Sequence, residues 1–463
     1  MKSSSLISTA VAAALGWGAA LAQPPTTTPD VTLIVSGSSA FKAAFENELS
    51  RAGSSVCQTS GTTTYNKYTA AVTSGPVPDF NAYNCLSVTD FFGAGTGTKN
   101  ILIYYRAEGG SVFGLTPLIR APNNKVLRLQ LNANCTTPAA GATGTCPVGV
   151  YSPVPDTITG TNAVDANTDL GLADEEPAQF RTPNYPDAGT AAKLQPALTD
   201  AERLTLGNNA QTLVGQSFGF YTHIETAAPG AGDTQLNGLT SLSRESLAAI
   251  MSGTWGDWNQ VPKNDGTNTT VVSGGNSVPI VVCRREAGSG TQVATSIFLH
   301  NTNCGGADNF VTSANPGNLA SVIENTATAT MRTCIEGNKG AIGYISSEAN
   351  TANRKQVQVD GKGTTSSANN LGVATASGDY GFMYELVAVK KPGLAGNTNI
   401  LADKLISVAH DQTTGPTTPN VTFLPTGTNA GNAVFPLNTP AGKQPVTCFT
   451  RSGNSCATLA DQC

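Results

Sequence analysis

Ionisable side chains are scarce in this 463-residue chain: Asp, Glu, Lys and Arg together make 12%, and there are only 3 histidines. The 31 acidic residues outnumber the 26 basic ones, for a net charge of −5, so no basic field exists to hold nucleic acid or an anionic membrane surface. There are 10 cysteines but no Cys-x-x-Cys spacing, and only His223, His300 and His410 are left to join a metal site, so neither zinc nor a cofactor is expected. Beyond the extreme N-terminus no stretch reaches the roughly 18 apolar residues of a membrane helix, which argues against membrane insertion.

The N-terminus itself reads as a targeting segment. Lys2 supplies the charge, Leu6–Leu15 the apolar middle, and Ala20-Leu21-Ala22 the small-residue signal for cleavage before Gln23. Residues 1–22 are therefore set aside as a signal peptide, and no cysteine follows the cleavage point to carry a lipid anchor. The mature chain is expected in the periplasm or outside the cell, where cysteines persist as disulfides. Short loops suggest Cys57 with Cys85, Cys135 with Cys146, and two of Cys448, Cys456 and Cys463. The length suffices for one or two full-sized cores.

The most informative segment is Val281–Thr291, an apolar run that ends in two arginines and passes through Gly288, Ser289, Gly290 and Thr291 into the helix-like stretch Gln292–Leu299. Glycines let backbone N–H groups approach a ligand, hydroxyls add donors, a helix points its positive end at the same spot, and arginine offers a planar bidentate fork. That is an oxyanion site; the alternative is an ordinary strand, turn and helix with a serine cap.

Four further segments, in order, carry a resemblance: Val35–Phe41 (Val-Ser-Gly-Ser-Ser-Ala-Phe), Asp169–Asp174 (Asp-Leu-Gly-Leu-Ala-Asp), Leu242–Val261 with its two tryptophans, and Gly340–Tyr344 (Gly-Ala-Ile-Gly-Tyr). Together with Arg285–Thr291 they resemble the motifs of periplasmic phosphate-binding proteins, over about residues 31 to 345. The resemblance implies an α/β, two-domain type II periplasmic-binding-protein fold, with two crossing segments as a hinge and a ligand cleft between the domains. Residues 23–216 plus 380–463 would form domain I, with loop-rich surface insertions at 132–168 and 181–198, and residues 217–379 domain II. The outward crossing is placed at Ser217–Ile224 and the return at Tyr380–Val389, the sheets are expected to be mainly parallel, and the tail from Gly396 is expected to be loop-rich.

By the same resemblance, Arg285 would grip the anion, with Ser289, Gly290 and Thr291 beside it. Ser39, Ala40 and Phe41 would form one donor loop, and Gly110 and Ser111 a second. This sequence departs from the family where Ala40 and Gly110 stand at hydroxyl positions, with Ser39 and Ser111 one place away, and where Ala287 replaces an aspartate, leaving Glu286 as its neighbour. Asp174 would face the ligand and favour an oxyanion that still carries a proton; otherwise it caps a helix ahead of Pro177. Arg106 and Glu108 read as solvated loop charges. Two patterns are set aside: Gly215-x-Ser-x-Gly lacks the helix a nucleophile elbow needs, and the calcium-like run Asp165, Asn167, Asp169, Glu176 has Leu170 where glycine is required.

The function implied is binding of phosphate or a similar small oxyanion by a monomer, without catalysis, for an ABC transporter permease. The alternatives are a secreted structural or adhesive protein that keeps the fold without tight binding and, after that, a secreted phosphatase.

Overall fold

The computed structural model describes residues 28–50, 54–58, 65–107, 109–120, 125–136, 138, 142–153, 156–181, 198–224, 235–267, 269–300, 310–346, 354–363, 380–410, 434–435, 449–450, 454–458 and 460–461. The targeting segment, Glu108, most of the 181–198 insertion, Cys304, Cys448 and Cys463 lie outside these residues.

Alternating β-branched and apolar residues produce β1 (Val31–Gly37), which pairs in parallel with β4 (Asn100–Arg106) and β9 (Leu170–Ala173). On the far side of β4 lie β3 (Phe80–Leu86) and β2 (Asn66–Ser74), and helices α1 (Lys42–Ser50) and α2 (Val112–Ile119) follow β1 and β4. Leu33, Val35, Phe45, Leu49, Ile101 and Ile103 are fully or almost fully buried in the core between this sheet and its helices.

The second lobe repeats the pattern. Strand β12 (Val281–Arg285) pairs in parallel with β13 (Ser321–Asn325) and β14 (Ala341–Ser346), and helices at Gly290–His300 and Thr328–Gly337 follow β12 and β13. The tryptophan motif has a packing role: Trp258 is fully buried and donates its indole N–H to the carbonyl of Gly340 at 2.9 Å, which fastens one family-like segment to another. Ser243 caps the helix Arg244–Met251 by accepting from the amide of Ser246 at 3.0 Å.

One 14-residue strand, β10 (Ala210–His223), joins the lobes. Up to Ser217 it pairs with β16 (Met383–Lys390), and from Phe218 it pairs with β14 and β15 (Arg354–Val359). The return crossing is tied to it there, because Phe218 N–H donates to Phe382 at 3.0 Å and the Tyr380 hydroxyl to Phe218 at 2.8 Å. Rings of Phe220 and Phe382 stack beside this junction, 5.3 Å apart. This is the two-lobed type II periplasmic-binding-protein arrangement, with crossing segments that are hydrogen-bonded to each other.

Three expectations need correction. The sheets are mixed, not mainly parallel, because the crossing strands β10 and β16 run antiparallel to their neighbours. The 132–168 stretch is not just a surface loop: Thr143–Pro153 adds parallel to β2, Asp156–Thr159 extends that edge, and Cys146 and Val148 are fully buried. The tail from Gly396 begins with the 15-residue helix Gly396–His410, whose Leu401, Ala402, Leu405 and Ile406 pack into the first lobe. In the last two cases apolar residues buried by the rest of the chain outweigh the local turn chemistry.

Cys57–Cys85 and Cys135–Cys146 are bonded as the short loops suggest. A third bridge, Cys283–Cys334, ties β12 to the helix Thr328–Gly337 across 51 residues of sequence. Cys456 is also disulfide-bonded.

Candidate functional site

Parallel strands of one sheet deliver their following loops to the same edge, and ligands of such sheets sit beyond those carboxyl ends. Here the loops after β1, β4, β9 and β12 meet, so Ser38–Phe41, Gly110–Ser111, Asp174 and Arg285–Thr291 converge. All ten anticipated residues lie in or beside this junction, and the exposure of those for which it is resolved is at most 9%.

Asp174 is the centre. Its carboxylate accepts the hydroxyl of Ser38 and, at 2.9 Å, that of Thr291 on the other lobe. Burial pushes its carboxyl pKa above the ordinary value, while the hydroxyl donors and the nearby positive charge of Arg285 act against that push. The helix-cap alternative does not hold, because the short helix that follows is preceded by Glu176.

Ser111 works through its hydroxyl oxygen, which accepts the amide of Asp174 at 3.0 Å and that of Gly290, across the lobes, at 3.1 Å. Glycine is required at two places in this contact. A Cβ on Gly290 would stand 2.4 Å from the Ser111 oxygen, and one on Gly110, whose φ is +75°, would stand 2.8 Å from the Cα of Ser289. The amide of Val112 reaches the carbonyl of Gly288 at 3.0 Å.

Arg285 spreads its fork over its own lobe and the junction. Its Nε donates to Asn325 O at 3.1 Å, Nη2 to Thr326 O at 3.0 Å, and Nη1 to the Ser39 hydroxyl at 3.3 Å. Ser39 also lies 3.3 Å from the hydroxyl of Thr328, at the start of the helix after β13. Arg284 turns the other way, its Nε donating to the carbonyl of Arg285 at 3.1 Å and its Nη1 to that of Val311.

The remaining expected donors have local partners as well. Phe41 N–H donates to the Ser38 hydroxyl at 3.2 Å, Ala40 uses its carbonyl to accept from Gln216 at 3.0 Å, and Ser289 accepts from the amide of Gln292 at 3.4 Å. The serine cap therefore sits in the same loop as Arg285 and the glycines. Arg106 is not a solvated charge: it is 1% exposed, with its guanidinium over the rings of Phe80 and Phe113.

Residue-by-residue reading missed Ser38, although it stands inside the Val35–Phe41 motif and bonds Asp174 directly. It also missed Tyr344, whose hydroxyl accepts from the Arg285 amide at 3.1 Å and donates to Gln292, and Thr328. Tyr344 ends the Gly340–Tyr344 motif, so its hydroxyl is the signal available in the sequence. The Gly215-x-Ser-x-Gly pattern lies within β10, which continues as strand through His223, so strand and not helix directly follows it.

Residues 198–419 match the family model of the PBP superfamily domain. A Clostridium perfringens protein assigned as a phosphate ABC transporter substrate-binding protein, solved with phosphate, is similar with 13% identity and a TM-score of 0.41, covering 81% of this chain and 93% of that one. A high-affinity periplasmic phosphate-binding protein (PfluDING), bound with phosphate, is similar with 15% identity and a TM-score of 0.40, covering 71% and 89%. An ABC-type phosphate transport receptor from Vibrio cholerae shows 19% identity and a TM-score of 0.30, covering 52% and 79%. No curated protein matches the sequence. Residues 198–419, with the crossing strands β10 and β16 and the Arg285–Thr291 loop, thus match the PBP superfamily domain, on a type II fold whose other strand-end motifs come from residues 31–174.

Proposed function

We propose that the protein is an exported, monomeric solute-binding protein that receives phosphate or a related protonated oxyanion between its lobes and presents it to an ABC-type permease. The observation that carries this reading is the convergence of Arg285, the N-terminal amides of the Gly290–His300 helix, the hydroxyls of Ser39 and Thr291, and the carboxylate of Asp174 at one junction. An arginine fork and helix-end amides suit the charged oxygens of a tetrahedral anion, and a carboxylate suits the oxygen that retains a proton. Lobe closure about the two crossing segments would bring the two halves of that set together. Asp174 is taken as the selector against fully ionised anions, and residues 217–379 as the lobe that contributes Arg285.

A second reading has an observation of its own. The loops touch each other directly, Ser111 on Gly290 and Thr291 on Asp174, as they would in a secreted structural protein that keeps the fold without tight binding. Equilibrium dialysis of the mature chain against radiolabelled phosphate separates the two. Saturable retention that arsenate displaces and sulfate does not supports the receptor; no retention supports the structural protein.

A further inference from the structure

A cleft built to close on a ligand has a difficulty when it closes without one. Its amides and hydroxyls would be taken out of water with nothing to accept from them, which costs free energy and keeps the lobes apart. In this protein the junction supplies its own acceptors. Ser111 Oγ takes the amide of Gly290 at 3.1 Å, the carbonyl of Gly288 takes the amide of Val112 at 3.0 Å, and the carboxylate of Asp174 takes the hydroxyls of Ser38 and Thr291. Arg285 joins them through Ser39 at 3.3 Å, which in turn meets Thr328 at 3.3 Å.

Each of these contacts except Ser38 to Asp174 runs between a loop of the first sheet and a loop of the second. The main chains are also in contact, since neither Gly110 nor Gly290 has room for a Cβ. Departures from the family pattern fit this arrangement: Gly110 stands at a hydroxyl position, and the adjoining Ser111 is the residue that bonds across the lobes.

We infer that the two lobes latch onto each other through their own groups, with the carboxylate of Asp174 as an internal anion among donors an oxyanion would otherwise engage. Closure then does not wait for a ligand, and an incoming oxyanion must displace Asp174 and Ser111 from their partners. The identity of the cleft rests on the binding function proposed above, but the latch itself is tested without a ligand.

The amides of Val112 and Gly290 report on it, because both bond across the junction and both lie in the first turn of a helix, where no intrahelical acceptor exists. Residue-resolved hydrogen–deuterium exchange is measured on the mature chain after dialysis to a phosphate content below the protein's, and again with excess inorganic phosphate. The latch predicts both amides slowed by at least about 100-fold without phosphate, and slow again with it. Exchange near the unprotected rate without phosphate overturns the latch, whether or not phosphate then slows it. Slow amides in a chain that retains no phosphate leave the latch standing and remove the binding function; fast amides that phosphate slows do the reverse. Ser111→Ala, if it folds, should release the Gly290 amide while leaving those inside the Gly290–His300 helix protected.

Discussion

Thr291 donates its hydroxyl to the carboxylate of Asp174 at 2.9 Å, and the two residues stand on different lobes. A buried carboxylate that accepts from hydroxyls on both sides sets the chemistry of the junction, because any ligand there must either offer it a proton or face its charge.

Asp174→Asn keeps the size, removes the charge and adds an N–H₂ donor. The preference for phosphate over sulfate should narrow by roughly 1–3 kcal/mol, the cost of one buried polar mismatch. Calorimetry with both anions on wild type and variant checks it, and an unchanged preference would take Asp174 out of the ligand's reach.

The same residue makes a stability prediction. Its folded pKa is raised by burial above the ordinary 3.8, so its contribution is fully present below that value and declines as pH rises through the folded one. The stability of the wild type relative to Asp174→Asn should therefore be greatest in acid and fall on the way to neutral pH, as urea unfolding at a series of pH values would record. A difference that grows with pH would mean that the hydroxyl donors outweigh burial.

Arg285 holds Asn325 O, Thr326 O and Ser39 with one planar group. Lysine has the charge but not the fork. Arg285→Ala should cost about 3 kcal/mol or more of anion affinity, and Arg285→Lys should recover only part of it. Equal binding by all three proteins would exclude the arginine from the site.

Much of this site was legible in the sequence because its residues cluster in short motifs at strand ends: Arg285 to Thr291 are contiguous, and Asp174 closes a strand-like run. What was not legible depends on parts of the chain distant in sequence. Nothing near Ser38 in sequence reveals that Asp174 will lie against it, since 136 residues separate them. The bridges Cys57–Cys85 and Cys135–Cys146 follow from short loops, whereas Cys283–Cys334 spans 51 residues and depends on where the helix after β13 packs. The strands at 143–159 and the helix Gly396–His410 were hidden by abundant Gly, Thr and Asn, although Val148, Leu401 and Leu405 are among the residues that fix them in the core.

Cys283–Cys334 yields a prediction for that reason. It anchors the strand that carries Arg285, and closing a loop of 51 residues is worth about 4 kcal/mol by chain entropy. Replacing both cysteines with alanine should lower unfolding stability by an amount of that order in denaturant titration. Peptide mapping of unreduced, alkylated protein should recover Cys57 with Cys85, Cys135 with Cys146, and Cys283 with Cys334; largely free thiols in material from the native host would contradict the proposed export.

Arg120 grips Glu202 with two hydrogen bonds of 2.6 Å, tying the end of α2 to the helix Asp200–Gly207. Chiefly through the Arg120 hydrogen bond, the Glu202 carboxyl falls from 4.5 to about 2. A lowered acid contributes stability above its unfolded value and loses it as pH falls through the folded one, so this contribution should disappear between about pH 4.5 and 2. Since the pair is partly solvated, Glu202→Gln should cost only about 1 kcal/mol at neutral pH and nothing at the acid end. Parallel thermal melts of the two proteins across that range give the comparison.

The central claim is that the junction of Arg285, Thr291 and Asp174 is an oxyanion site, and isothermal titration calorimetry of the phosphate-stripped mature chain tests it most directly. The account predicts one phosphate per chain, competition by arsenate, little or no heat from sulfate, and loss of the phosphate signal in Arg285→Ala. No phosphate binding by the folded wild type, or binding that survives Arg285→Ala unchanged, would contradict it.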